Sequence, residues 1–142
     1  MGTGLLHSES FYKKEHIKAS DEIRNLFKNG KKVSISGAKL FYLENDFDYN
    51  RIAFTLSRGY GNAVRRNTSK RYSREIYRSL KKYLNTGYDL LLLIYPGNDS
   101  FSTRYFQFRS LCEKAGILKT WKIFLLNFSV FLSEFIRFLF LP

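Results

Sequence analysis

The sequence predicts a single α+β domain, and three observations carry that prediction. The chain has 142 residues, which suits one domain with a modest core. The largely apolar run Tyr88 to Tyr95 reads as a strand buried on both faces, at the centre of a sheet. Between Arg58 and Lys82, nine basic residues stand against a single acid, Glu75, with helical spacing. The elements around these landmarks follow in the coarse order α-β-β-α-β-α over residues 15–118.

Residues 1–19 read as poorly ordered, with residues 1–14 a flexible terminus and Lys13, Lys14 and Lys18 adding charge. A first helix is predicted from Ser20, a good N-cap followed by the acids Asp21 and Glu22, to Gly30 as its C′ residue. Ile23, Leu26 and Phe27 share its apolar face. Val33 to Leu43 reads as extended, with Leu40-Phe41-Tyr42-Leu43 rich in strand formers. Asn45 to Asn50 is a turn and Arg51 to Ser57 a second strand, so a hairpin between the two is expected. The loop Arg58-Gly59-Tyr60-Gly61 leads into the basic helix, placed over residues 62–84 and ended by Asn85-Thr86-Gly87. Pro96-Gly97 stops the apolar strand. Asp99 or Ser100 caps a last helix reaching Ala115, with Tyr105, Phe108, Cys112 and Ala115 inward and Gly116 as its stop.

Residues 119–142 differ in kind and form a hydrophobic C-terminal extension. Wound as a helix, Lys122, Asn127, Ser129, Ser133, Glu134 and Arg137 gather on one side of an otherwise apolar tail. A membrane surface or a protein contact through residues 119–142 and packing on the domain are both open. A true span is disfavoured, because Glu134 and Arg137 are expensive at depth.

The formal charge is +12, from 24 Lys and Arg against 12 Asp and Glu. Such a surplus points to polyanionic partners: RNA, DNA or an anionic membrane surface. Cys112 is the only cysteine, so neither an intrachain disulfide nor a cysteine metal cluster can form, and a reducing cytoplasm is the expected compartment. His7 and His16 have no partners at ligand spacing, so neither a zinc site nor a histidine-based triad is expected. No metal ligand and no catalytic residue is assigned to the protein. Met1 to His16 lacks the apolar core of a signal peptide.

The basic helix carries the functional information. Arg66, Lys70, Arg74 and Arg78 recur every four residues and form one column. With Asn67, Arg71, Lys81 and Lys82 they fall within a sector of about 160°, while Tyr72, Ile76, Leu80 and Tyr83 gather opposite. Like charges at this spacing cost about 0.2–0.5 kcal/mol per pair. Arg65 and Arg66 also stand at the helix N-terminus, where the macrodipole disfavours cations. A phosphate backbone outside the protein would compensate, since arginine can hold a phosphate through two parallel hydrogen bonds. The alternative is a merely solvated basic face. Glu75 lies one turn from Arg71 and Arg78 and reads as their intrahelical partner. Gly59-Tyr60-Gly61-Asn62 would let backbone N–H groups approach a phosphate, or is simply a turn; it lacks the third glycine of a dinucleotide fingerprint.

The stretch Gly61-Asn62-Ala63-Val64-Arg65-Arg66-Asn67, continuing through Lys70-Arg71, Arg74-Glu75 and Arg78, resembles the Arg-Asn-Arg signature of the bacterial ribonuclease P protein component. Asp21 to Gly30 is similar to that family's first helix, and Gly87-Tyr88-Asp89 to the start of its last strand. The resemblance covers residues 15–118. It implies a mixed sheet in which the basic helix crosses between parallel strands with left-handed connectivity, as in the ribosomal protein S5 domain 2-like fold. It further implies that catalysis belongs to a partner, the catalytic RNA subunit, whose bound magnesium ions cleave the 5′ leader from precursor tRNA. The protein would contact RNA through Arg58, Arg65, Arg66, Asn67, Lys70, Arg71, Arg74 and Arg78. Ile23, Phe27, Lys39 and Phe41 would form the cleft that holds the single-stranded leader. Three positions depart from the family pattern. The loop Ser57-Arg58-Gly59-Tyr60 has one cation fewer and an added aromatic, Thr68 replaces the third member of the triplet, and Ile23 stands where an aromatic is common. A structural RNA-binding protein of ribosomal type and a basic membrane-surface protein are the rival readings. DNA binding is weaker, with no helix-turn-helix or zinc module legible.

Overall fold

A strand that is apolar on both faces must be covered on both faces, and this requirement organises the sheet. In the computed structural model, which describes residues 10–119 and Ile136, that strand is β4 (Tyr88–Ile94). Leu90, Leu91 and Leu92 are all fully buried, each contributing about 1.5–3 kcal/mol relative to exposure. Four strands form one mixed sheet in the order β1-β2-β4-β3, where β1 is Lys31–Ile35, β2 is Ala38–Glu44 and β3 is Arg51–Leu56. β4 pairs antiparallel with β2 and parallel with β3. The parallel pair needs a crossover, which is the basic helix α2 (Ala63–Leu80).

The hairpin expected between residues 33–43 and 51–57 does not form. Residues 31–44 instead make their own hairpin, with Ile35 opposite Ala38 across the two-residue turn Ser36-Gly37. Gly37 adopts φ 82°, and a Cβ there would meet the Gln107 side chain at 2.7 Å. β1, with Lys31 and Lys32, suits a sheet edge. The interior position beside β2 then goes to β4, whose two apolar faces need it more than β3 does.

The sheet has two covered faces. On one, Leu40, Leu92 and Phe54 lie in register, as do Ala38, Ile94 and Leu56. This face packs against Ile76, Tyr77 and Leu80 of α2 and Phe108, Leu111 and Cys112 of α3 (Phe101–Lys114). On the other, Phe41, Leu91 and Ala53 lie in register beneath α1 (Ser20–Asn29), with Leu26 and Ile17 in the same cluster.

Several boundaries differ from expectation. Residues 10–19 are not loose: Phe11 packs edge-on to Tyr77 at 5.1 Å, and the Ile17 N–H donates to the Ile52 carbonyl at 3.1 Å. Their lysines point outward while alternate residues, Glu15 and Ile17, are buried. Ser20 is the first helical residue rather than the cap, and Gly30 ends α1 with φ −68°, not left-handed. α2 stops at Leu80, continued by a 3-10 turn over Lys81–Tyr83. Ser100 does cap α3, accepting from the Thr103 N–H. Tyr105 and Ala115 are only half-buried, and Arg104 and Leu111 take inward positions. The predicted C-terminal helical tail falls outside the described residues, Ile136 excepted. No helix among the described residues is long and apolar enough to cross a membrane.

Candidate nucleic-acid interface

The outer face of α2 is set by what holds its inner face. Gly59 and Gly61 both take positive φ, 73° and 141°, and turn the chain from β3 into the helix. Tyr60 between them is buried, so the aromatic in this loop plugs the core instead of offering a stacking surface. Asn62 then caps α2, its Oδ1 accepting from the Arg65 N–H at 3.0 Å.

The inner face carries a polar clamp that the amphipathic reading missed. Ser69 and Ser73, one turn apart, are buried beside Ile76, Tyr77 and Leu80. Into them reaches Arg104 of α3, only 2% exposed. Its Nη1 donates to the Ser73 Oγ at 2.6 Å and the Ser69 carbonyl at 3.1 Å. Its Nη2 donates to the Ser69 Oγ at 2.9 Å and to Asp99 at 2.6 Å, and its Nε to Gln107 at 3.2 Å. A buried cation with this many partners fixes the rotation of α2 against α3. The only sequence signal was the small polar pair at i,i+4 on an otherwise apolar side.

With that rotation fixed, Arg58, Arg65, Asn67, Arg71 and Arg74 are exposed, and Arg66, Lys70 and Arg78 are half-buried along the same ridge. Glu75 pairs with Arg78 at 2.9 Å. Arg65, Arg66, Lys70 and Arg74 make no salt bridge among the described residues. Val64, at the start of the ridge, is 73% exposed.

The second candidate surface lies on the opposite face of the sheet. α1 is anchored by Arg51, which donates twice to Asp89, at 2.9 and 2.6 Å, and once to Glu22 of α1 at 2.9 Å. The hydrogen bond to Asp89 is the main cause that holds this guanidinium's pKa well above its ordinary value. Phe27 projects from α1 with 43% exposure and meets the edge of Phe41 at 4.9 Å. Ile23 is half-buried beside it, and Phe41 itself is nearly buried, so of these residues Phe27 offers the largest free ring. The next row across the sheet, Ser34, Lys39, Leu93 and Thr55, is left partly open. Lys39 stands 5.6 Å over the ring of Tyr95, which extends this row past the end of β4. The structure places Ile23, Phe27 and Phe41 together and sets Lys39 two residues before Phe41 on the same face of β2. The Tyr95 ring beside Lys39 and the Arg51 anchor had no signal in the sequence.

Between the two surfaces lies a cavity of about 200 Å³, lined by His16, Ile17, Ile52 and Ala53 together with Lys70 and Arg74 of α2. His16 stacks on Phe11 with ring centroids 3.7 Å apart. Burial, then the nearby Lys18, pull its imidazole pKa below the ordinary value, with Arg74 adding to this and Glu15 opposing. A larger cavity of about 660 Å³ lies at the far end of the sheet, between the Ser36–Gly37 turn and α3. Its one cation, Arg104, is already fully engaged. Among the described residues no three His, Cys, Asp or Glu side chains gather to hold a metal ion.

Comparison with known proteins agrees with this geometry. The family model described as Ribonuclease P matches residues 11–116. The chain is 39% identical over 88 residues to the ribonuclease P protein component of Petrotoga mobilis, covering 62% of this chain and 75% of the relative. It is 34% identical over 107 residues to that of Syntrophomonas wolfei, covering 74% and 90%. Among solved structures, the RNase P protein of Thermotoga maritima superposes with a TM-score of 0.62 at 26% identity, over 75% of this chain and 96% of that one. That of Staphylococcus aureus superposes with a TM-score of 0.68 at 20% identity, over 73% and 97%, a likeness of fold.

Proposed function

The chain belongs to the ribonuclease P protein family, and from that premise we propose that it is the accessory protein subunit of an RNA-based endonuclease that removes 5′ leaders from precursor tRNA. In this reading catalysis belongs to the partner RNA and the magnesium ions it would bind, and no protein side chain serves as nucleophile or general base. The protein's task is electrostatic and geometric: it neutralises phosphates where two RNAs approach, and it holds the leader in line.

The observation that carries the reading is the run of cations on α2 that the fold leaves uncompensated. Arg66, Lys70 and Arg74 repel one another along one helix face, and no acid among the described residues pairs with them. A polyanion relieves that repulsion and is the partner these residues fit, together with Arg58, Arg65, Asn67, Arg71 and Arg78. On the opposite face, a single-stranded leader would run over Phe27 and Ile23, stack on the exposed ring, and place a phosphate near Lys39. Phe41 supports Phe27 from below and offers little surface of its own.

Reconstitution tests this directly. The full chain is added to a catalytic RNA and precursor tRNA at low magnesium, and leader cleavage is followed. Cleavage should rise with protein and the magnesium requirement should fall. No gain at any magnesium concentration rules out the subunit reading and leaves a structural RNA-binding role.

A further inference from the structure

The cavity between the N-terminal segment and α2 differs in its charge from two others among the described residues. The 660 Å³ cavity contains no free cation, and a 310 Å³ one near Tyr88 sets Lys31 against Glu44. The cavity at His16 is about 200 Å³ and gathers Lys70, Arg74 and an imidazole over an apolar floor of Ile17, Ile52 and Ala53. That is smaller than the roughly 300–1,000 Å³ of sites for drug-sized ligands, and suits one phosphodiester with part of its sugar.

The cations are uncompensated. Lys70 and Arg74 are one helical turn apart, face the same side, and make no salt bridge among the described residues. The acid nearest in the chain, Glu15, is engaged elsewhere: it accepts from Lys81 at 3.2 Å, the Tyr12 N–H at 2.7 Å and the Tyr77 hydroxyl at 3.4 Å. The remaining lining residues, from β3 and α1, are apolar. His16 is held in place from both sides, by the ring of Phe11 and by a parallel bridge to Ile52. The charged groups acting on it are Glu15 and Lys18 from its own segment and Arg74 from α2. A cavity so lined repels a protonated imidazole until an anion enters.

We propose that this cavity is a phosphodiester site, in which Lys70 and Arg74 hold one RNA phosphate and His16 takes up a proton on binding to become the third donor. The site rests on the RNA-binding reading above and adds to it a defined subsite and a proton linkage. Arginine and lysine supply charge at every physiological pH, whereas His16 adds its charge only when the phosphate is present or the medium is acidic. The phosphate could come from the catalytic RNA or from the leader, and the two sources are separable by experiment.

The test measures affinity of the full chain for catalytic RNA alone, and of the reconstituted complex for precursor tRNA with and without its leader. Each is measured from about pH 5.5 to about pH 8, for the unaltered protein and for His16→Gln. In one of these arms the unaltered protein should bind about fivefold to tenfold tighter at the acid end than His16→Gln does, and the two should converge at the alkaline end. A difference in the first arm assigns the phosphate to the catalytic RNA, and one confined to leader-bearing substrate assigns it to the leader. Superimposable pH profiles in all arms overturn the site while leaving RNA binding itself intact. No RNA binding by the unaltered protein at any pH overturns both readings. Because His7 is the only other histidine, NMR titration of the unaltered protein gives a second measurement that needs no variant. The His16 resonance should titrate at higher pH with RNA bound than without it, with His7 as the internal reference. An unmoved His16 titration also ends the proposal.

Discussion

Arg74 and Arg104 are the same residue type on neighbouring helices in opposite circumstances. Arg104 is buried and spends its guanidinium on Ser69, Ser73, Asp99 and Gln107. Arg74 stands exposed on the outer side of α2, without an acid to meet it. The inward arginine sets the helix, and the outward one uses that setting. Basic residues thus divide into those the fold satisfies and those it leaves for a partner, and net charge alone does not distinguish them. Arg51 belongs with Arg104, since its bonds to Asp89 and Glu22 hold α1 over the sheet.

Substitutions can break this division, and their expected effects on stability fall in a clear order. Arg104→Ala leaves Asp99 and two buried serines without their donor and should cost about 3–5 kcal/mol in denaturant unfolding. A loss below about 1 kcal/mol would show that the clamp is not what fixes α2. Arg51→Ala should cost about 2–3 kcal/mol, because its partners remain partly solvated, and should loosen α1 enough to weaken leader affinity. Phe27→Ala should cost only about 1–2 kcal/mol, since the ring is already half exposed. Its larger effect should be on binding of leader-bearing substrate, with leaderless tRNA unaffected; equal losses on both would make Phe27 a packing residue.

Arg66→Ala with Lys70→Ala should change stability by no more than about 0.5 kcal/mol. Its effect should appear instead in the salt dependence of RNA binding, whose log–log slope flattens by about one unit per lost phosphate contact. An unchanged slope would mean that RNA lies elsewhere. The smallest effect concerns pH in the absence of RNA. The folded imidazole of His16 titrates below its unfolded value, so the unfolded chain binds the proton first. Stability from this group is therefore fullest above the ordinary histidine value of 6.5 and declines as pH falls below it. The melting temperature should drop slightly more on acidification for the unaltered protein than for His16→Gln.

Features repeated along the chain are legible in the amino-acid sequence. The four-residue spacing of Arg66, Lys70, Arg74 and Arg78 marks an exposed ridge, and the Leu90 to Ile94 run marks a central strand. Features made of single residues distant in sequence are not legible there. Nothing local links Arg104 to Ser69, or Arg51 to Glu22, because each pair meets only after the sheet has formed. The hairpin was misassigned for a related reason. Ser36-Gly37 is a short turn inside a stretch that reads as continuously extended, and the choice of neighbour for β2 depended on β4, more than forty residues later. The order of residues 10–19 was hidden because their lysines dominate the composition, while Phe11 and Ile17 find their partners on β3 and α2.

Local periodicity determined the element types, the basic ridge and the family signature, because spacing along a helix or strand needs only the chain itself. Tertiary structure decided which cations remain free, how α2 is rotated and where His16 meets Lys70 and Arg74. Those outcomes depend on burial and on partners brought from distant positions, and a charge's role is set by the company it keeps after folding.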